Sequence, residues 1–203
     1  MRCKRGLYQG PVLLKPDAYG TWTFLEKVRI EDYLLGVLPN EIGSASPSNA
    51  LAAQAVLART WAVSNSHRFE VDGYHLCSDT QCQVYKDPEK ATNSVAKAIL
   101  ETQGKVLKWK GKPIHAVYHA TNGGVMASAN EAWAISSLPY LRPQLDGTVT
   151  LTERFSLPLE PVEVQSLLNS FDSAFGKNHK FFRWSRTLTS EKIETFLLAL
   201  QTK

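Results

Sequence analysis

The chain has 203 residues, which is long enough for one substantial hydrophobic core, or for one domain with an appendage. Its 43% hydrophobic and 21% charged residues are ordinary for a folded protein, and its net charge of +4 is only mildly basic. We see no dense Lys/Arg stripe with interleaved aromatics, which argues against nucleic acid as a partner, and no apolar run long enough to span a bilayer.

The first residues carry charges with no apolar core after them, so they do not form an intact secretion signal. Residues 12–15 and 21–25 are rich in strand-forming side chains and flank residues 16–20, which have the composition of a turn. We therefore expect a small antiparallel sheet near the start of the chain.

Two helices are predicted next, with one carboxylate between them. Pro39 predicts the end of the first helix, because a residue before proline is pushed out of the helical region. Ser46 and Pro47 predict the start of an alanine-rich helix over residues 50–62. Glu41 lies in the gap, in a loop fixed at both ends, where catalytic groups tend to sit.

Three side chains after this helix suggest either a metal site or a covalent link. His75, Cys77 and Cys82 suit a zinc site with a fourth ligand from elsewhere, and the two cysteines equally suit a disulfide. Free thiols are the third interpretation, and Cys3 is left over.

A helix is predicted from Asp87 to Gly104, followed by a hairpin of residues 106–109 and 114–119. His115 and His119 would be about 13 Å apart on a strand, too far for one ion. His119 leads directly into residues 121–124, whose glycine pair allows close approach of a ligand to the backbone.

The last part of the chain predicts a helix at 161–171, a strand at 181–184 and a helix at 189–200. We interpret residues 147–203 as closing elements of one domain that covers residues 1–203. The predicted fold class is α+β: a mixed single domain with antiparallel sheet elements and a central alanine-rich helix.

Five blocks of sequence carry a resemblance to a known family. They lie within residues 25–145 and comprise residues 33–62, 77–85, 102–104, 121–124 and 139–141. In this order they resemble the stage II sporulation protein D family (SpoIID/LytB). That family includes peptidoglycan lytic transglycosylases and, in its LytB branch, enhancers of a cell-wall amidase.

The resemblance implies that Glu41 is the catalytic acid of a lytic transglycosylase. In that reaction a single glutamate suffices, because the 6-hydroxyl of N-acetylmuramic acid attacks its own anomeric carbon. An apolar setting would keep Glu41 protonated for the first step. The alternative is a non-catalytic protein that binds peptidoglycan and stimulates an amidase. A third interpretation, a metallohydrolase at His75, Cys77 and Cys82, is disfavoured because two thiolates are more typical of structural zinc.

The family position also assigns the other candidate residues. Substrate contacts are expected from Gln54, Arg59, Gln83, Tyr85, Gln103, Tyr118, His119, Thr121, Asn122, Gly123 and Gly124. Arg59 needs a partner if it is buried, and we expect that partner to be Glu41 or a substrate carboxylate. Some members of the family bind zinc with two cysteines and a histidine, which here would be Cys77, Cys82 and His75.

The resemblance also predicts where the protein acts. Its partners would be peptidoglycan glycan strands and a possible cell-wall amidase, in the periplasm or cell wall. Any export segment would then be absent from this chain. The proposed chemistry requires no cofactor, and zinc would be structural.

Overall fold

The computed structural model describes residues 2–3, 6–8, 10–17, 20–169 and 171–201. They fall into two compact units, Met1–Tyr118 and His119–Lys203, each with a hydrophobic core. Helices combine with short antiparallel strand pairs, so the predicted α+β class is confirmed. One domain over residues 1–203 stays a prediction.

Among its described residues, the first unit contains three strand pairs. They are β1 with β2 (Arg2–Cys3, Gly6–Leu7), β3 with β4 (Val12–Pro16, Trp22–Glu26) and β5 with β6 (Lys108–Trp109, Lys112–Pro113). The β3–β4 hairpin is the one that the sequence predicts, and Leu14 faces Phe24 in its register. Its turn is closed by Asp17, whose side chain accepts a hydrogen bond from Thr21 N at 2.9 Å.

The core of the first unit lies between three helices, α1 (Ile30–Glu41), α2 (Ser48–Ser64) and α3 (Asn93–Glu101). The alanines of α2 allow its neighbours to approach closely, and Ala55 and Ala58 are fully buried. The predicted alanine-rich central helix is therefore confirmed.

The prediction that Pro39 ends the first helix is wrong. Pro39 lies inside α1, and the helix continues to Glu41, where Ile42 N donates to Leu38 O at 3.1 Å. Because Pro39 has no N–H, the helix loses the hydrogen bond that Leu35 O would accept, but it continues through Asn40 and Glu41. Asn40 Nδ2 donates to Gly36 O at 2.7 Å and supports this last turn.

The helix that was predicted to begin at Asp87 begins later. Asp87 caps a short 3-10 turn, Pro88–Lys90, and α3 then starts at Asn93. Thr92 provides the cap of α3, because its hydroxyl accepts a hydrogen bond from Val95 N at 3.4 Å.

The second unit has one strand pair and four helices among its described residues. These are β7 (Val125–Met126), β8 (Gln144–Leu145), α4 (Ala129–Ala132), α5 (Val149–Arg154), α6 (Pro161–Asn169) and α7 (Ser190–Gln201). Its core comprises Leu151, Phe155, Leu167, Ala174 and Phe182. The two predicted helices are present as α6 and α7.

The predicted strand at 181–184 is wrong, because this segment forms successive turns. His179 N donates to Gly176 O and Phe182 N donates to His179 O, both at 2.8 Å. Of Phe181, Phe182 and Trp184, only Phe182 is buried in the core. These side chains therefore do not alternate between core and solvent as they would in a half-buried strand.

No described helix is long and apolar enough to cross a membrane.

Candidate functional site

Glu41 is the last residue of α1 and is half-buried. Its Oε1 accepts a hydrogen bond from the backbone N–H of Val84 at 2.6 Å. In the part of the chain that the structure describes, no residue donates to Oε2. When Glu41 is protonated, the oxygen that accepts from an N–H is the carbonyl oxygen, so the proton lies on Oε2. The carboxyl group is thus held by one oxygen and free to exchange a proton through the other.

The loop that supplies this N–H is held in place by a disulfide and by hydrogen bonds within the loop. A disulfide joins Cys77 and Cys82 across five residues. Asp79 Oδ1 accepts from Gln81 N at 2.9 Å, and Tyr85 N donates to Ser78 O at 3.2 Å. These links fix the backbone that presents Val84 N–H to Glu41.

Gln83 is the centre of a buried hydrogen-bond network, with its side chain 1% exposed. Its Nε2 donates to Ala58 O at 3.3 Å and to Tyr118 Oη at 2.9 Å. Because a backbone carbonyl only accepts, Ala58 fixes which end of the amide carries the hydrogens. Gln83 Oε1 then accepts from Tyr33 Oη at 3.2 Å. Since Tyr118 accepts from Gln83, its own hydroxyl hydrogen points to another acceptor.

The two tyrosines of this network lie within the field of Glu41. Burial raises the pKa of Tyr118 to about 12, with the charge of Glu41 contributing in the same direction. Burial also raises the pKa of Tyr33, helped by Tyr118 and Glu41. Both phenols therefore keep their protons at neutral pH, and Glu41 is electrostatically close to two neutral hydroxyl donors.

Tyr85 packs its ring against α1. It stacks on Tyr33 with ring centroids 5.2 Å apart, and its hydroxyl donates to Glu26 Oε2 at 2.8 Å. Gly36 makes this contact possible, since a Cβ there would lie 2.6 Å from Tyr85 Cδ2. Burial and the Glu26 hydrogen bond raise the pKa of Tyr85. Its predicted contact with substrate stays a prediction.

The partner predicted for Arg59 is wrong. Arg59 is 2% exposed and pairs with Glu31, with Nε to Oε1 at 3.0 Å and Nη2 to Oε2 at 2.6 Å. Arg59 Nη1 also donates to Lys105 O at 3.0 Å, and Gly104 N donates to Glu31 Oε1 at 3.1 Å. The arginine thus joins α2, the start of α1 and the end of α3. Sequence reasoning missed Glu31, although a buried arginine on a small-residue helix face signals a carboxylate partner.

Two predicted substrate residues of the first unit lie outside the Gln83 network. Gln54 is 7% exposed, and its Nε2 has no hydrogen-bond partner among the described residues. Gln103 is exposed and follows α3. Their roles stay predictions.

The structure joins Cys77 and Cys82 in a disulfide, which is one of the two main interpretations of these cysteines from the sequence. Sulfurs in a disulfide offer no thiolate to a metal. Among the described residues, no three His, Cys, Asp or Glu side chains gather as a metal site. Zinc at Cys77, Cys82 and His75 remains untested.

Thr121, Asn122, Gly123 and Gly124 belong to the second unit and form a tight turn. Asn122 Oδ1 accepts from Gly124 N at 2.9 Å, and Asn122 Nδ2 donates to Asp146 Oδ2 at 2.7 Å. Both glycines have positive φ, 67° and 97°, a conformation that glycine adopts without steric cost. His119 is exposed beside this turn. The amide of Asn122 therefore holds the turn together.

Comparison with known proteins places two family models on this chain. The model described as "SpoIID: Stage II sporulation protein" matches residues 18–109. A second model, a domain of unknown function (DUF8618), matches residues 127–203. The first match covers Glu41, Arg59 and Gln83.

Curated relatives match between 58% and 66% of the chain. An "Amidase enhancer" of Bacillus subtilis (strain 168) is 38% identical over 128 residues, which is 60% of this chain and 17% of the relative. "Stage II sporulation protein D" of the same organism is 34% identical over 134 residues, 58% of this chain and 38% of the relative. An uncharacterized protein of Brachyspira hyodysenteriae (strain ATCC 49526 / WA1) is 36% identical over 140 residues, 66% of this chain and 36% of the relative.

This chain spans well under half the length of these relatives. The family model's match, residues 18–109, includes three of the five blocks that carry the resemblance: residues 33–62, 77–85 and 102–104. Residues 18–109 thus match the SpoIID family model, and the predicted SpoIID/LytB resemblance is confirmed.

Proposed function

We propose that this chain cleaves peptidoglycan glycan strands between N-acetylmuramic acid and N-acetylglucosamine as a lytic transglycosylase. The observation that supports this best is the position of Glu41: a half-buried carboxylate whose Oε1 is held by Val84 N–H at 2.6 Å. A single carboxylate in this setting suits a reaction whose nucleophile comes from the substrate.

The proposed reaction has two proton transfers. Protonated Glu41 gives its Oε2 proton to the glycosidic oxygen, and the bond from that oxygen to the anomeric carbon breaks. The carboxylate then accepts the proton of the muramic acid 6-hydroxyl while this oxygen bonds to the anomeric carbon. The products are a 1,6-anhydro end and a free hydroxyl end, and Glu41 is protonated again.

The buried network beside Glu41 supports this role. Gln83 holds Tyr118 through Nε2, so the Tyr118 hydrogen is free to donate to a substrate oxygen or to the carboxylate. Because Tyr33 and Tyr118 stay neutral, they can orient hydroxyl groups without competing for the proton of Glu41.

The second candidate function is non-catalytic enhancement of a cell-wall amidase. It is favoured by the name of one relative, "Amidase enhancer", which is 38% identical to this chain. In that case Glu41 and its neighbours would recognise glycan without cutting it. Both candidates imply an extracytoplasmic location at the cell wall, and a structural zinc is required by neither.

The deciding experiment is digestion of purified peptidoglycan, with and without its stem peptides, followed by mass spectrometry of the fragments. We expect anhydro ends from the wild type and a loss of at least about 100-fold in Glu41→Gln, which keeps the shape but cannot donate the proton. Glu89→Gln is the control, since Glu89 is an exposed glutamate of the same unit.

Three outcomes would be distinct. Anhydro ends from Glu41→Gln at the wild-type rate would exclude Glu41 as the catalytic acid. No anhydro ends from the wild type, together with faster peptide release when an amidase is added, would favour the enhancer. A loss of activity in Glu89→Gln would show that the assay reports stability instead.

A further inference from the structure

One segment of the second unit combines exposed aromatic rings with a local excess of positive charge. Residues 177–186 contain Lys177, Lys180, Arg183 and Arg186, and residues 173–190 contain no Asp or Glu. Phe181 is 56% exposed and Trp184 is 76% exposed.

The middle of this segment is anchored. Phe182 is buried in the core of the unit, and the Arg183 guanidinium lies 4.4 Å from the centre of its ring. Arg183 Nη1 also donates to Gly123 O at 2.7 Å. Because Phe182 and Arg183 point inward, the neighbouring side chains of Phe181 and Trp184 are left at the surface.

The same anchors join the segment to the turn at residues 121–124. A Cβ at Gly123 would lie 3.0 Å from Arg183 Nη1, and a Cβ at Gly124 would lie 3.0 Å from Ala174 Cβ. Both glycines therefore allow the turn and the segment to pack closely. Within this unit they form one continuous surface, which we call the basic aromatic surface: residues 121–124 and 177–186.

Two of the four cations of this surface, Lys180 and Arg186, are exposed and available for a ligand. Lys177 pairs with Asp172 at 3.2 Å, and Lys180 lies over the Phe181 ring with Nζ 4.8 Å from its centroid. Lys180 is exposed, so its ammonium group can still reach an anion. Aromatic rings at a surface offer flat apolar faces, which suit the apolar faces of sugar rings.

We propose that the basic aromatic surface binds a glycan strand that bears carboxylates. Phe181 and Trp184 would pack on sugar rings, while Lys180 and Arg186 would pair with the carboxylates. The identity of this strand as peptidoglycan rests on the proposed function, but the surface itself does not depend on Glu41. An anionic membrane is less suited, because the segment forms turns and not the amphipathic helix that commonly lies in a membrane interface.

The test is sedimentation of the full chain with purified peptidoglycan from which teichoic acid has been removed. Trp184→Ala should weaken binding by about fivefold, the size of one aromatic contact. Lys180→Gln with Arg186→Gln should weaken it by about threefold to tenfold, and added salt should weaken wild-type binding more than binding of this variant.

Matched control variants distinguish a loss of binding at this surface from the loss of an aromatic ring or of positive charge anywhere on the protein. Trp22→Ala removes an exposed tryptophan of the first unit, and Lys97→Gln with Lys108→Gln removes the same charge from exposed positions there. Both controls should bind as the wild type does. Circular dichroism and urea midpoints confirm that every variant is folded.

The proposal is overturned if the controls lose as much binding as the test variants, or if no variant loses any. It is also overturned if the test variants lose binding only to teichoic acid, to anionic phospholipid vesicles or to single-stranded DNA. Sedimentation measures binding and not cleavage, so this surface can be tested even if the wild type releases no anhydro ends.

Discussion

Glu41 is held by Val84: the carboxylate Oε1 and the backbone nitrogen are 2.6 Å apart. The two residues are 43 positions apart in the chain, and the contact joins the end of α1 to the loop after the second cysteine. Any change that loosens this loop should therefore act on the carboxylate as well as on stability.

Reduction of the disulfide between Cys77 and Cys82 is the most direct such change. Closing a loop this short is worth about 2 kcal/mol in the chain-entropy account. We expect the Cys77→Ser, Cys82→Ser variant to lose about this much stability in urea unfolding. If the chain cleaves glycan, the rate of release of anhydro ends should also fall, because Val84 N–H is no longer fixed.

A thiol count tests the link itself. The unfolded, unreduced chain should show one free thiol, from Cys3, and three after reduction. Three thiols without reductant and one bound zinc per chain, lost on chelation, would favour the zinc site and contradict the disulfide.

Gln83→Leu should be strongly destabilising. The substitution leaves the buried carbonyl of Ala58 and the hydroxyls of Tyr33 and Tyr118 without the partner that they share. An unsatisfied buried polar group costs about 1–3 kcal/mol, so we expect a loss of roughly 2–4 kcal/mol in the free energy of unfolding.

Gln81→Leu is the matched control for this variant. Gln81 lies two residues away in the same loop and is exposed. The Gln81→Leu variant should have nearly the same urea midpoint as the wild type. Equal losses for the two variants would mean that the loop as a whole, and not the buried amide, determines the stability.

Local patterns explain what the sequence predicted correctly. The alanine-rich helix α2 and the β3–β4 hairpin follow from helical spacing and from a turn between two strand-like runs. The prediction that Glu41 lies in a loop between two helices is wrong: Glu41 is the last residue of α1, because Pro39 does not end that helix.

What the sequence did not predict depends on distant contacts. The pairing of Arg59 with Glu31 joins residues 28 positions apart, and Gln83 contacts Tyr33 from 50 positions away. No local spacing encodes such distances. At residues 181–184 the cluster of aromatics suggested a strand, but one phenylalanine in the core and one arginine on its ring favour turns.

Arg59→Met should cost about 3 kcal/mol in the free energy of unfolding, because it leaves the Glu31 carboxylate with its charge partner removed. Urea unfolding measures this loss. The double variant with Glu31→Leu should recover part of it, since no unpaired carboxylate remains.

Arg29→Met is the control for Arg59→Met. Arg29 pairs with Asp32 at 2.7 Å, but its side chain is 87% exposed. Surface ion pairs contribute little, so this variant should unfold almost as the wild type does. A loss as large as that of Arg59→Met would contradict the view that burial makes the Glu31 pair important.

The buried tyrosines predict the response of stability to alkaline pH. Burial raises the pKa of Tyr118 to about 12, and also raises the pKa of Tyr33 and Tyr85. In the unfolded chain all three ionise near pH 10. Above that pH the unfolded state releases protons that the folded state keeps, so the free energy of unfolding falls as pH rises.

We therefore expect stability to be unaffected by these groups below about pH 10 and to fall progressively from there through the pKa of Tyr118. Urea unfolding at a series of pH values measures the fall, and tyrosinate absorbance should rise together with unfolding. Tyr118→Phe removes one of the three ionisations, so its stability should fall less steeply with pH. If the free energy of unfolding falls equally steeply with pH in the wild type and in Tyr118→Phe, burial beside Gln83 and Glu41 does not raise the pKa of the Tyr118 hydroxyl.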